Sequence, residues 1–216
     1  MFFFRIALLP TISWPCFATH DPILYNATKE KIITRLKTPY GFKRFLRDGY
    51  GSVLEASSRY YKTGETKNFE NIECAWPIFC CFLIIDAKFK NNEEQLKEYQ
   101  ELLFDKLLRR EQSYGDYIMP EYYYVPPEYV ESERANPNSV LRLPNSECQN
   151  YSSMYLMGQG VLLITQLLLG GLLQIHELDP LRRYTPSYER NRKMGRYSVF
   201  QVFLFCNFCF IFVYYC

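Results

Sequence analysis

Three stretches of this chain bring acids, arginines and aromatic rings together: Tyr40 to Tyr50 (YGFKRFLRDGY), Phe69 to Phe79 (FENIECAWPIF) and Met119 to Glu131 (MPEYYYVPPEYVE). Aromatic rings stack on the apolar faces of sugar rings, while Asp, Glu and Arg hydrogen-bond the hydroxyls, so this mixture reads as a carbohydrate groove. Its polar members are Arg47, Asp48, Glu70 and Glu73, and Trp76 supplies an aromatic face. Hydrolysis of a glycosidic bond asks for more: one carboxyl as acid and a second, across the scissile bond, as base or nucleophile. Asp48, Glu70 and Glu73 furnish one wall only. A plainer expectation competes for each carboxylate, namely a loop or helix cap, or an ion pair with Lys43, Arg44 or Arg47.

The thiols and imidazoles offer less. Cys16, Cys74, Cys80, Cys81 and Cys148 have no framework spacing, and Cys206, Cys209 and Cys216 crowd the last residues, so reduced, mostly buried thiols are expected. Cys206/Cys209 has no second pair to complete four ligands, and His20 and His176 stand far apart, so neither a metal site nor a cysteine nucleophile is expected. No cofactor motif is present in the sequence.

Composition narrows the class. The 216 residues carry 25 Lys+Arg against 23 Asp+Glu, a net charge of +2, which speaks against a nucleic-acid partner. With 48% hydrophobic and 22% charged residues the chain is neither disordered nor fibrous, and 18% aromatic content is its unusual feature.

The elements that must position these residues are helical. Asp21-Pro22 forms an N-cap and first-turn pair ahead of Ile32, Ile33 and Leu36, predicting a helix over 22–36 that stops before Pro39. Pro77 opens a second, with Ile78, Phe82, Ile85 and Phe89 at three- and four-residue spacing and apolar residues all round, which predicts a central position. Asn92 with Gln95 resembles a capping box before Leu96, Tyr99, Leu103 and Leu107, an outer helix. A fourth runs from about 153 to 173, interrupted at Gly170-Gly171. Residues 38–72 and 113–150 form long loops, the usual carriers of a site. An incomplete set of such helices is expected to leave faces such as Phe82 and Ile85 uncovered.

At the ends, residues 1–20 read as an extended, aromatic-rich lead-in, because Pro10 and Pro15 break the apolar run and Arg5 is its only positive charge. Residues 194–216 form an apolar tail, uncharged from Ser198 onward and flanked by Arg190, Arg192, Lys193 and Arg196. That stretch has the length of a membrane span and equally the composition of a buried strand. The basic residues between Lys29 and Arg47, around Ile32, Leu36, Phe42 and Leu46, resemble a calmodulin target but are broken by Pro39, so a scaffold helix followed by a basic loop is expected.

The three acid-bearing runs, with Gly158-Gln159-Gly160 and Asp179 to Tyr184 (DPLRRY), resemble the regulatory alpha and beta subunits of phosphorylase b kinase, closest to the beta subunit. The resemblance covers roughly residues 7–190 of what would be an internal piece of a longer chain. It implies a partial domain of glycoside hydrolase family 15 type over 21–193, a portion of a mainly α, glucoamylase-like (α/α)6 toroid with long loops on one rim. By motif match it places a general acid at Glu73 in NIEC, vestigial for want of a second carboxylate, with Asp48 and Arg47 of LRDGY lining the sugar subsite. This chain has Ala75 where the family has an acid, and Met157 where it has Trp. The implied role is a non-catalytic regulatory subunit in glycogen metabolism, scaffolding and restraining a catalytic kinase subunit alongside other regulatory subunits and calmodulin. The implied location is cytoplasmic, with prenylation, as in a lipoprotein, holding it at the cell membrane face. VYYC places Cys216 last rather than in a C-a-a-X box, so no prenyl anchor is carried over. The alternatives are a glucoamylase-like hydrolase or oligosaccharide-binding domain with Glu73 as acid, and a small protein anchored through 198–216.

Overall fold

The computed structural model describes residues 5–56, 58–62, 64–110, 117–145 and 155–190. The apolar tail lies outside these residues, as do Cys148, Cys206, Cys209 and Cys216. The described part is mainly helical: α1 (Leu8–Ile12), α2 (Pro22–Leu36), α3 (Ile78–Lys90), α4 (Glu93–Glu101), α5 (Val130–Ala135), α6 (Leu156–Leu169) and α7 (Ile175–Leu178). A π-helical stretch, Leu102–Leu107, prolongs α4, and short 3-10 turns stand at Glu65–Phe69 and Pro127–Tyr129.

Local sequence accounts for the ends of the main helices. The Asp21 side chain accepts from the backbone N–H of Ile23 at 2.9 Å and of Leu24 at 3.4 Å, with Pro22 in the first turn. Tyr25, Ile32 and Leu36 are the buried stripe of α2. In α3 every residue from Ile78 to Ala87 is buried, so this helix is the axis of the core, with α4 and α6 packed against it. Its large apolar side chains are worth about 1.5–3 kcal/mol each on burial. Phe82 and Ile85, expected to lie uncovered, are buried: α6 packs on α3, and the Trp14 ring lies against Phe82. Asn91, at φ 51°, ends α3 in the left-handed region favoured after a helix terminus.

Three expectations are corrected. Residues 8–12 are helical rather than extended, and Ile6, Leu9, Trp14 and Phe17 belong to the core. Pro10 is tolerated because it sits in the first turn, where backbone N–H groups have no intrahelical partner. The capping box before α4 is only half formed: Asn92 accepts from Gln95 N–H at 3.0 Å, but the Gln95 amide turns inward to Leu83 O and Asp86. Cys16, half-buried, is disulfide-bonded rather than reduced. Cys74, Cys80 and Cys81 are free and buried.

The strands are short and serve the loops. β1 (Lys37–Thr38) pairs antiparallel with β2 (Gly41–Phe42), and Phe42 bridges on to Trp76. Ala75 bridges to Tyr123 of β5 (Tyr123–Tyr124), which pairs with β6 (Leu143–Pro144). The remaining pair, β3 (Arg109–Arg110) with β4 (Tyr117–Ile118), follows the π-helical stretch. Residues 75–76 therefore lie between β2 and β5 and tie all three acid-bearing stretches together. Gly41, at φ 115°, makes this possible, because a Cβ there would sit 2.5 Å from the Trp76 carbonyl oxygen. Among the described residues no helix is long and apolar enough to cross a membrane.

Candidate functional site

The short strand pairings bring Arg47, Asp48, Glu70, Glu73 and Trp76 into one neighbourhood and give each carboxylate a basic partner. Glu73 is fully buried. One of its carboxylate oxygens accepts from Lys43 Nζ at 2.8 Å and the other from the Arg47 backbone N–H at 2.7 Å. Arg47 adopts φ 64° to aim that N–H inward, a conformation that costs a side-chain-bearing residue about 1–2 kcal/mol. Asp48 is held by Arg44 through two bonds, Nε at 2.5 Å and Nη2 at 2.8 Å, and also accepts from Tyr50 N–H at 3.2 Å. Glu70 receives Arg47 Nε at 2.9 Å at the surface. These are the three cations that the plainer expectation named.

The aromatic members stack among themselves and on Arg44. Its guanidinium lies 4.4 Å from the Tyr50 ring centroid and 5.1 Å from that of Trp76. Trp76 is buried beneath Tyr50 and Tyr122, at centroid separations of 5.9 and 5.3 Å, and among the described residues its indole N–H has no partner. Burial pushes the Glu121 carboxyl above its usual range, against the pull of Arg44. Burial also raises the Tyr50 phenol, and the charge of Glu121 adds to it.

Two residues that sequence reasoning missed hold the loop from behind. Arg142, fully buried, donates to Glu73 O at 2.6 Å, Asn71 O at 3.4 Å and the Glu133 carboxylate at 2.8 Å. Glu133 also accepts from the N–H groups of Asn138, Ser139 and Val140. Neither residue carries a local signal, since the pair forms only once loop 136–142 folds back. Asp86 was the legible omission: an acid alone in an apolar helix, it collects Ser13, Tyr25, Lys29 and Gln95 from α2, α4 and the end of α1.

Five cations of the basic stretch 29–47 are likewise paired with acids of the fold, three of them buried or nearly so, while Lys31 and Arg35 are exposed. Lys29 meets Asp86, Lys37 meets Glu98, Lys43 meets Glu73, Arg44 meets Asp48 and Arg47 meets Glu70. At the two positions that depart from the resemblance, Ala75 is buried in the ribbon and Met157 is half-buried against the core. Among the described residues no group of His, Cys, Asp or Glu is arranged to hold a metal ion.

Fold and site together define a mainly helical domain whose loop carboxylates are tied into ion pairs. No family model matches the chain. Among curated proteins it is 45% identical over 196 residues to the probable phosphorylase b kinase regulatory subunit beta of Drosophila melanogaster, 90% of this chain and 16% of that relative. It is 42% identical over 178 residues to the rabbit (Oryctolagus cuniculus) skeletal muscle alpha subunit, and 40% over 185 residues to a probable alpha subunit of Caenorhabditis elegans. These matches cover 82% and 85% of this chain and 14% of each relative. The chain belongs, as a partial chain, to the phosphorylase b kinase regulatory subunits. It spans less than a fifth of the length of these relatives.

Proposed function

We propose that this chain is a non-catalytic piece of a phosphorylase b kinase regulatory subunit, acting in glycogen metabolism by contact rather than turnover. Its place is the cytoplasm, in a hetero-oligomer with a catalytic kinase subunit, other regulatory subunits and calmodulin. The helices form an arc of a glucoamylase-like (α/α)6 toroid, with the acid-bearing loops on one rim. The full burial of Glu73 between Lys43 and the Arg47 N–H carries the non-catalytic reading. A general acid must reach the glycosidic oxygen, and further chain packed on this region would only cover Glu73 more deeply. Recovery of the catalytic kinase subunit on tagged full chain from a muscle or liver extract supports the reading; capture of neither that subunit nor calmodulin refutes it.

A second reading, oligosaccharide binding without hydrolysis, is favoured by the exposed edge of the same loops. Arg47 and Glu70 remain partly open to solvent, as does Tyr50 over Trp76, while Asp48 and Glu73 act from beneath by fixing the loop. Titration with a maltooligosaccharide, followed by protein fluorescence, tests it: saturation that is lost in Tyr50→Ala supports binding, and a flat titration refutes it.

A further inference from the structure

Helix α6 carries no charged residue and is apolar nearly all round, the composition of a helix enclosed by other elements. Among the described residues only one side of it is enclosed. Gly158, Val161, Leu162, Thr165 and Leu168 are buried where α6 packs on α3, and Thr165 there hydrogen-bonds the Cys81 thiol. On the other side Leu156 is 77% and Leu163 55% exposed, Leu167 is half-buried, and Leu172, just beyond the helix, is 79% exposed. Leu156, Gly160, Leu163 and Leu167 recur at three- and four-residue spacing and so form one stripe. A Cβ at Gly160 would meet nothing within 4 Å, which leaves a notch between the two exposed leucines.

The described chain ends within reach of this stripe. The Tyr155 ring, before α6, lies 6.3 Å from Trp76, before α3, so the two helices start together and, with Thr165 on Cys81, run the same way. Beyond α7 the Tyr184 ring packs on Phe89, at the end of α3, and Arg190 stands against His20. The chain therefore leaves at the end where α6 finishes. Residues 191–197 can span about 23–25 Å, some two helix diameters.

They lead to Ser198–Cys216, which lies outside the described residues and carries no charge. Its chemistry matches the stripe. Neither surface brings a charge that contact would strip of water, and the tail's aromatic rings are of a size to fill the notch at Gly160. Its length suffices as well: α6 is about 21 Å long, against about 28 Å for the tail as a helix and about 60 Å extended. The groove over Ile33 and Leu102, by contrast, is rimmed by Lys37, Glu98, Glu101 and Asp105, charges that an apolar segment would leave unsolvated.

We propose that residues 198–216 fold back along α6 and cover the stripe Leu156–Gly160–Leu163–Leu167, so that the chain closes its own open helix face. The contact removes two apolar surfaces from water at once, that of the helix and that of the tail.

The test places photoreactive benzoylphenylalanine at position 163 of the full chain, irradiates it with phosphatidylcholine vesicles present, and maps the cross-linked peptides by mass spectrometry. Attachment to a peptide from 198–216 of the same molecule is expected. Cross-links between two copies or onto the lipid, or none to 198–216, overturn the proposal. Leu163→Asp, a change at a side chain already exposed among the described residues, reads the contact a second way. It should speed chymotrypsin cleavage within 198–216 at least tenfold, while Cys80 and Cys81 stay as slow to alkylate as in the parent chain. Cleavage of the tail at the parent rate overturns the proposal.

Discussion

Lys43 Nζ lies 2.8 Å from the Glu73 carboxylate in a pair that is almost wholly shut off from water. Taking one partner away strands the other charge, which costs about 3–5 kcal/mol. Glu73→Gln and Lys43→Met are each expected to lower the denaturation midpoint clearly, and the double variant to lose less than the sum. Urea unfolding of the three variants measures this coupling.

The Arg142–Glu133 pair, fully buried, contrasts with Arg47–Glu70 at the surface. Arg142→Leu should destabilise by about 3–5 kcal/mol, because Glu133 and two loop carbonyls lose a donor. Glu70→Ala should cost about 0–1 kcal/mol. The same unfolding experiment separates them, and equal losses would contradict the burial described here.

Thiol chemistry should follow burial. Desolvation pushes the Cys81 thiol up to about 12, and Cys74 and Cys80 upward as well. At pH 8 these three should resist iodoacetamide in the folded chain and react at least a hundredfold faster in denaturant, as followed by mass spectrometry.

Half-buried Glu121 sets a pH dependence. Its folded pKa is raised above the ordinary 4.5, so its favourable contribution is complete below that value and is lost as pH rises through the folded one. Glu121→Gln, which keeps an acceptor for Asn145 Nδ2, should therefore melt higher than the parent near pH 7. The advantage should shrink toward pH 4. Melting curves across that range decide it, and an advantage that grows on acidification would contradict the sign.

Local signals were legible and long-range ones were not. The starts of α2, α3 and α4 could be read from Asp21, Pro77 and Asn92 because caps and first turns are settled within a few residues. The fourth helix ends at Leu169, at the predicted Gly170-Gly171 break, because Gly171 takes φ 72° there. Helix α1 escaped notice because two prolines hid a short apolar turn whose stability comes from the core. The site residues could be picked out by type, but their closure depends on Phe42 meeting Trp76 and Ala75 meeting Tyr123, pairings spread over eighty residues of sequence. No periodicity announces Arg142 behind Glu73.

The claim on which the functional reading turns is that Glu73 is a structural anchor. Glucose release from maltooligosaccharides by the full chain and by Glu73→Gln tests it most directly. No release above the buffer blank is expected from either protein. Steady release by the parent chain that disappears in Glu73→Gln would contradict the claim, because it would require a carboxyl that reaches the substrate.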